Sequence, residues 1–480
     1  MNPSKLISRV AIVAFTLAAA LSFTEVIDPT VDPNDNVRRL GFLAAGVAFG
    51  VMAAIVWFVK KYQGHLTRSV LLVLMILYLP IFSANILITW QDSIDPELEK
   101  IEKRAEAAAA LGLPFDKREY VNALLDIRSE RPNVFQNTSP KEFVTQAYCE
   151  STLDIDGVKT VPMGALASTP TLISNELGTY PIWMTDRYGF NNPDSIWNDT
   201  SLLDSIIIGD SFAAGYSVQQ GEEITGQLRK SDHISLNLAS FGAGPLTALA
   251  QLREYGRSIS PDYVFWIFYH GNDFADLNHE LKHPVINQYL DPSFSQNLRP
   301  NSGNIDPVYR KYVENVLATF GKTRKGPGCA EFRPVTDLRR KIGGFASLIT
   351  LKNSASRVVA NMRSSAVISG NIAEFDSIAK LIDDEARQSG AQLVFVFLPQ
   401  YWDLLKEERP SEIGGPLVTK DKILEIITSA GIPAIDIQDT LNAHSDPASF
   451  YPLRMFGHMS PFGYERVATA LNQYALENHR

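Results

Sequence analysis

Three short apolar runs, each ending abruptly in polar residues and glycine, set the tightest limit on what this chain can fold into. They are Ser205–Ile208 before Gly209-Asp210-Ser211, Ile234–Leu238 before a turn at Gly242, and Tyr263–Tyr269 before His270-Gly271-Asn272-Asp273. Runs without a polar face suit strands that are covered on both sides, which in practice means a parallel sheet between layers of helix. Leu393–Leu398 and Ile432–Ile437 read as two further strands of the same kind, and helical stretches separate them. The expected fold class is therefore α/β. Open sheets of this type bind ligands beyond the carboxyl ends of their strands, so Ser211, Gly242 and Asn272 are expected to converge there.

The serine is the chemically informative member of that set. A serine delivered at the end of a buried strand, on a turn feeding a helix, meets substrate while its backbone stays fixed. Its hydroxyl is a poor nucleophile until an imidazole accepts its proton, and an oxyanion developing on an attacked carbonyl needs fixed N–H donors. A histidine, His458, stands in Gly457-His458-Met459-Ser460-Pro461 just before the last helical stretch.

In this order and spacing the four blocks resemble the SGNH (GDSL-type) hydrolase superfamily over roughly residues 180 to 475. The resemblance implies a three-layer, flavodoxin-like parallel-sheet domain with Ser211 as nucleophile and His458 as general base. It also implies an oxyanion hole formed by the Ser211 and Gly242 amides and the Asn272 side chain. Asp186-Arg187-Tyr188-Gly189-Phe190-Asn191-Asn192-Pro193 is similar to an approach segment of some membrane-anchored bacterial relatives. Two positions depart from the family pattern. His270 stands where the third block has glycine, and is read as structural. The acid expected three residues before the histidine is replaced by Met455, and no carboxylate lies between Asp446 and His458. Three readings follow: Asp446 or Asp436 reaches the imidazole from elsewhere, the Ser–His pair works without an acid, or the domain is not catalytic.

Upstream of this domain lie three apolar stretches, at about residues 7–24, 40–59 and 69–91, of which the second and third are uncharged and the first is uncharged from Val10 to Thr24. The second and third match the ~20 residues that span a bilayer core, with Trp57 and Trp90 near their ends. The first is read as a retained span, with a cleaved signal peptide as the alternative. Lys60, Lys61 and Arg68 fill the short loop between the second and third, which assigns that loop to the cytoplasm and everything after residue 91 to the periplasm or exterior. The expected organisation is a membrane anchor at 1–91, a charged helix and accessory subdomain at 92–180, and the SGNH-like domain at 181–480 with a cap insertion at about 274–370. The expected location is the bacterial cytoplasmic (inner) membrane, multi-pass.

The chain carries a net charge of −9 and has no basic block, so nucleic acid is not an expected partner. Cys149 and Cys329 are the only cysteines, and in an oxidising compartment they either pair or stay free. His279-Glu280-Leu281-Lys282-His283 matches the zinc-protease pattern His-Glu-x-x-His. Pro284 interrupts the helix that such a site needs, so the segment is read as an ordinary edge of the cap and no metal or cofactor is expected. The functional expectation is a membrane-anchored serine esterase or O-acyltransferase acting on acyl esters, with surface glycans as substrate and a membrane acyl donor as a further partner. A catalytically inactive glycan-binding or assembly protein is the alternative.

Overall fold

Five of the expected strands form one sheet in the computed structural model, which describes residues 96–145, 150–323, 371–406 and 418–478. We label them β1 (Ser205–Gly209), β2 (Ser235–Asn237), β3 (Tyr263–Tyr269), β4 (Gln392–Leu398) and β5 (Ala434–Asp436). They lie in the order β5-β4-β3-β1-β2, and every neighbouring pair is parallel. The α/β class follows from that sheet. The three proposed membrane spans, Cys149 and Cys329 lie outside the described residues. Among the described residues no helix is long and apolar enough to cross a membrane.

The continuous apolar runs still alternate, and the alternation builds two cores. Ile206, Ile208, Val264, Trp266, Phe268, Phe395 and Phe397 face one side, while Ile207, Phe265, Ile267, Val394, Val396 and Leu398 face the other. A strand whose two faces both carry large side chains must be covered twice. On the first side lie Leu246 and Leu249 of a helix at Pro245–Gln251, and Phe375, Ile378 and Ile382 of a helix at 371–388. On the second lie Ile224 and Leu228 of a helix at Ile224–Lys230, and Tyr464, Val467 and Leu471 of the last helix, Pro461–Asn478. Trp266 and Phe265 are both fully buried although they are chain neighbours, which only a three-layer arrangement allows.

Strand order fixes where a site can form. The chain runs from β1 to the edge strand β2, then crosses back to β3 on the other flank of β1. The loops after β1 and β3 therefore diverge and open a crevice at their carboxyl ends. Register places Gly209, the last residue of β1, beside Ile267 of β3.

The described residues ahead of the sheet, from Lys100 on, belong to the same compact unit as the sheet. We label four helices that matter for the site: α1 (Pro96–Ala110), α2 (Pro140–Val144), α3 (Ser211–Ala214) and α4 (Asp273–Glu280). A small sheet joins Phe135–Gln136, Pro170–Leu172 and Ile182–Met184. The approach segment at 186–193 is a folded turn. Buried Asp186 accepts hydrogen bonds from the backbone N–H groups of Tyr188 and Phe190, from Asn192 and from the Trp197 indole. Asn192 in turn bonds both backbone groups of Asn237 on β2, so this segment pairs with the sheet edge. Within the expected cap, a helix at Ser302–Thr323 is present, while 324–370 lies outside the described residues.

Candidate active site

The turn after β1 is built around two constraints. Gly209 has φ +142°, and a Cβ there would stand 2.5 Å from the Ile267 carbonyl oxygen, so only glycine fits. Asp210 then caps α3 by accepting a hydrogen bond from the Phe212 N–H at 2.9 Å. Burial pushes its carboxyl up to about 6. Ser211 is thereby the first residue of a one-turn helix, half-buried, at the mouth of the crevice.

His458 meets it from the far end of the chain. The Ser211 Oγ lies 2.8 Å from His458 Nε2. The imidazole sits beside Phe212 and Tyr216, with ring centroids 4.6 and 4.4 Å away, which fixes its plane by packing. Its other nitrogen, Nδ1, lies 3.3 Å from Glu176 Oε2, and the His458 backbone N–H donates to the same oxygen at 2.7 Å. Glu176 Oε1 is 2.9 Å from Arg104 Nη2 of α1, and both side chains are almost wholly buried. The partners assign the tautomer: Nδ1–H donates to the carboxylate, leaving Nε2 to accept the serine proton.

Glu176 is the carboxylate that faces His458, and sequence reasoning missed it. Burial alone would raise its pKa. The charge and hydrogen bond of His458 and the charges of Arg104 and Lys100 outweigh it, and hold the carboxyl well below the usual carboxylate range. Neither acid expected from the sequence reaches the imidazole. Asp446 is an exposed partner of Arg454, with oxygens 2.7 and 2.6 Å from its guanidinium. Asp436 caps Gln438 at 3.0 Å and pairs with Lys420 at 2.6 Å. The reason is geometric: both carboxylates are already committed to local partners. The position of the missing acid, Met455, is half-buried and unused. No spacing rule marks Glu176, which lies 282 residues before the histidine. The chain neighbours of Glu176 give it a fixed loop, since Asn175 donates to the Asp116 carbonyl and accepts from the Gly178 N–H.

Gly242 and Asn272 stand in the loops after β2 and β3, the neighbours that flank β1. Gly242 has φ +64° and packs against the side chain of Lys141 on α2. Asn272 is the residue before α4, and its side-chain amide donates to Asp276 Oδ2 at 2.6 Å. Lys141 Nζ holds the other oxygen of Asp276 at 3.3 Å. The Asn272 amide is thus held by Asp276 at the start of α4.

The other two histidine features are structural in their contacts. His270 is buried between Asp403, 3.2 Å from Nδ1, and the Val418 carbonyl, 2.8 Å from Nε2. In the His-Glu-x-x-His segment α4 stops at Glu280, before the second histidine. Glu280 instead accepts hydrogen bonds from the backbone N–H groups of Gly244, Leu246 and Thr247 at 2.7, 3.0 and 3.2 Å, capping the helix at Pro245–Gln251 from another element. His283 Nε2 bonds the Ser151 carbonyl at 2.8 Å. Among the described residues no cluster of His, Cys, Asp and Glu has the form of a metal site.

No family model matches this chain, and no curated protein does. Solved structures similar to it include a lipase/acylhydrolase from Enterococcus faecalis, at 12% identity over 57% of this chain and 95% of that one, with a TM-score of 0.29. A psychrotrophic esterase, EstA, from Pseudoalteromonas sp., described as inhibited by monoethylphosphonate, matches at 11% identity over 57% of this chain and 100% of its own, with a TM-score of 0.25. Likeness at that level carries no weight for the site, whose reading stands on its own geometry.

Proposed function

We propose that this chain is an SGNH-type serine esterase or O-acyltransferase that works through an acyl-serine intermediate. The observation that carries the reading is the unbroken hydrogen-bonded chain from Ser211 through His458 to Glu176. In the first half-reaction Ser211 Oγ forms a bond to the acyl carbonyl carbon as its proton passes to His458 Nε2. The carbonyl π electrons move onto oxygen, where the Ser211 and Gly242 amides and the Asn272 side chain take the charge. Collapse expels the alcohol, which leaves with the proton from His458. In the second half a water or sugar hydroxyl gives its proton to His458 and attacks the acyl carbon, and Ser211 Oγ leaves with the proton returned by His458. Glu176 stays ionised throughout and stabilises the imidazolium.

The inactive reading rested on the vacant acid position at Met455, and Glu176 removes that ground. The zinc reading required His279, Glu280 and His283 on one helix, and two of those three are spent on backbone groups. Location and substrate rest on sequence: the stretches at 40–59 and 69–91 and the basic loop between them support a membrane anchor with the site outside the cytoplasm. Acyl esters of surface glycans suit such a site.

A fluorophosphonate probe and a short-chain p-nitrophenyl ester test the chemistry together. Wild type is expected to take the probe on Ser211 and to release nitrophenol, Ser211→Ala to do neither, and His458→Ala to lose about 10³-fold or more in rate. Turnover that persists in Ser211→Ala would remove the acyl-serine from the account. Adding a sugar acceptor separates the two classes: a transferase passes the acyl group to it and an esterase does not.

A further inference from the structure

Arg104 is an anomaly on α1. The face that this helix buries consists of Arg104, Ala105 and Ala108, so a full positive charge shares a buried face with two alanines. A buried charge is costly without a partner, and an apolar residue would pack the same face at no such cost. Its guanidinium instead ties together the two loops that make the acid–base pair. It donates to the Asn175 carbonyl at 3.2 Å, beside Glu176, and to the Phe456 carbonyl at 3.5 Å, beside His458, while pairing with Glu176 Oε1 at 2.9 Å.

We infer that Arg104 is a positioning residue of the active site, holding Glu176 in place and in its ionised form so that the carboxylate can orient and stabilise His458. The inference rests on the proposed serine chemistry. Arg104 touches neither serine nor substrate and acts only through the acid. Burial favours protonation of Glu176, and a protonated carboxyl cannot stabilise an imidazolium. Charge from Arg104 opposes that. Removing the cation favours every proton taken up by the Glu176–His458 pair, so the acid limb of the pH–rate profile moves to higher pH.

The test compares the full-length protein with Arg104→Met, Arg104→Lys, Glu176→Gln and Arg104→Met/Glu176→Gln, reading ester hydrolysis from pH 5 to 9. Arg104→Met is expected to lose about 10- to 100-fold in kcat at pH 7 with KM changed less than about threefold, and to regain at most about tenfold of that loss as pH rises. Its acid limb is expected to move up by about one unit, and Arg104→Lys to return most of that shift. In a Glu176→Gln background the arginine substitution is expected to cost less than about twofold more, because two residues acting through one group do not add. A loss in Arg104→Met that is equal at every pH and unrelieved by lysine would overturn the assignment, as would full additivity with Glu176→Gln. If Arg104→Met alone does not fold, the double variant decides, since it leaves neither charge buried unpaired.

A second readout does not need turnover. The Nδ1 proton of His458, hydrogen-bonded to Glu176, gives a far-downfield proton resonance that His458→Ala removes. Its movement in Arg104→Met supports the inference even if the wild type shows no serine reactivity. A resonance that stays unmoved in Arg104→Met contradicts it.

Discussion

At the scale of single residues, the account turns on which carboxylate faces His458. Asp446→Asn and Asp436→Asn are expected to leave kcat/KM within about threefold of wild type, because their carboxylates serve Arg454 and a helix cap. A loss of ~100-fold in either, with the fold intact, would transfer the orienting role to it. The ionisation of Glu176 also predicts how stability responds to acid. Its folded pKa is depressed, so its contribution is fully present above the ~4.3 of an unfolded glutamate and is lost only as pH falls through the lower folded value. Chemical denaturation of wild type and Glu176→Gln should therefore differ by a constant amount from pH 7 to about 5 and converge in stronger acid. Convergence that is complete by pH 5 would mean that the folded carboxyl titrates normally.

At the scale of elements, what could be read from sequence and what could not divide along a physical line. β1, β3 and β4 were legible because each is an apolar run whose neighbours in space are also strands, so local composition and tertiary environment agree. Ser211, Gly242 and Asn272 stand in the loops that follow β1, β2 and β3, which are neighbours in the sheet. β2 is shorter than its apolar run, although the Leu238 and Ser240 N–H groups still donate to the Ile207 and Gly209 carbonyls of β1. Glu176 was not legible. It sits in a polar loop whose place is set by Asp116, Gly178 and Arg104, contacts that exist only after the chain has closed on itself. The His-Glu-x-x-His segment shows the opposite failure, a pattern with meaning in sequence that the fold uses for capping. Glu280→Leu leaves three backbone N–H groups without an acceptor and is expected to destabilise the fold by about 2–4 kcal/mol, measured by urea denaturation. Zinc added to wild type should leave that stability unchanged. A zinc-dependent rise would restore the metal reading.

At the scale of the whole molecule, the α/β layers are not a self-sufficient site. The sheet and its helices supply Ser211, Gly242, Asn272 and His458, but the acid, its arginine and the lysine beside Gly242 all come from residues 104–176. The chain order of the three central groups is therefore acid, serine, histidine. The central claim is that the Ser211–His458 pair is driven by Glu176, and the most direct measurement of it is the second-order rate of fluorophosphonate modification of Ser211, followed by mass spectrometry in wild type and Glu176→Gln at pH 7.5. The account predicts a fall of about 10²-fold or more in the variant with the folded state intact. Equal rates within about twofold would contradict it.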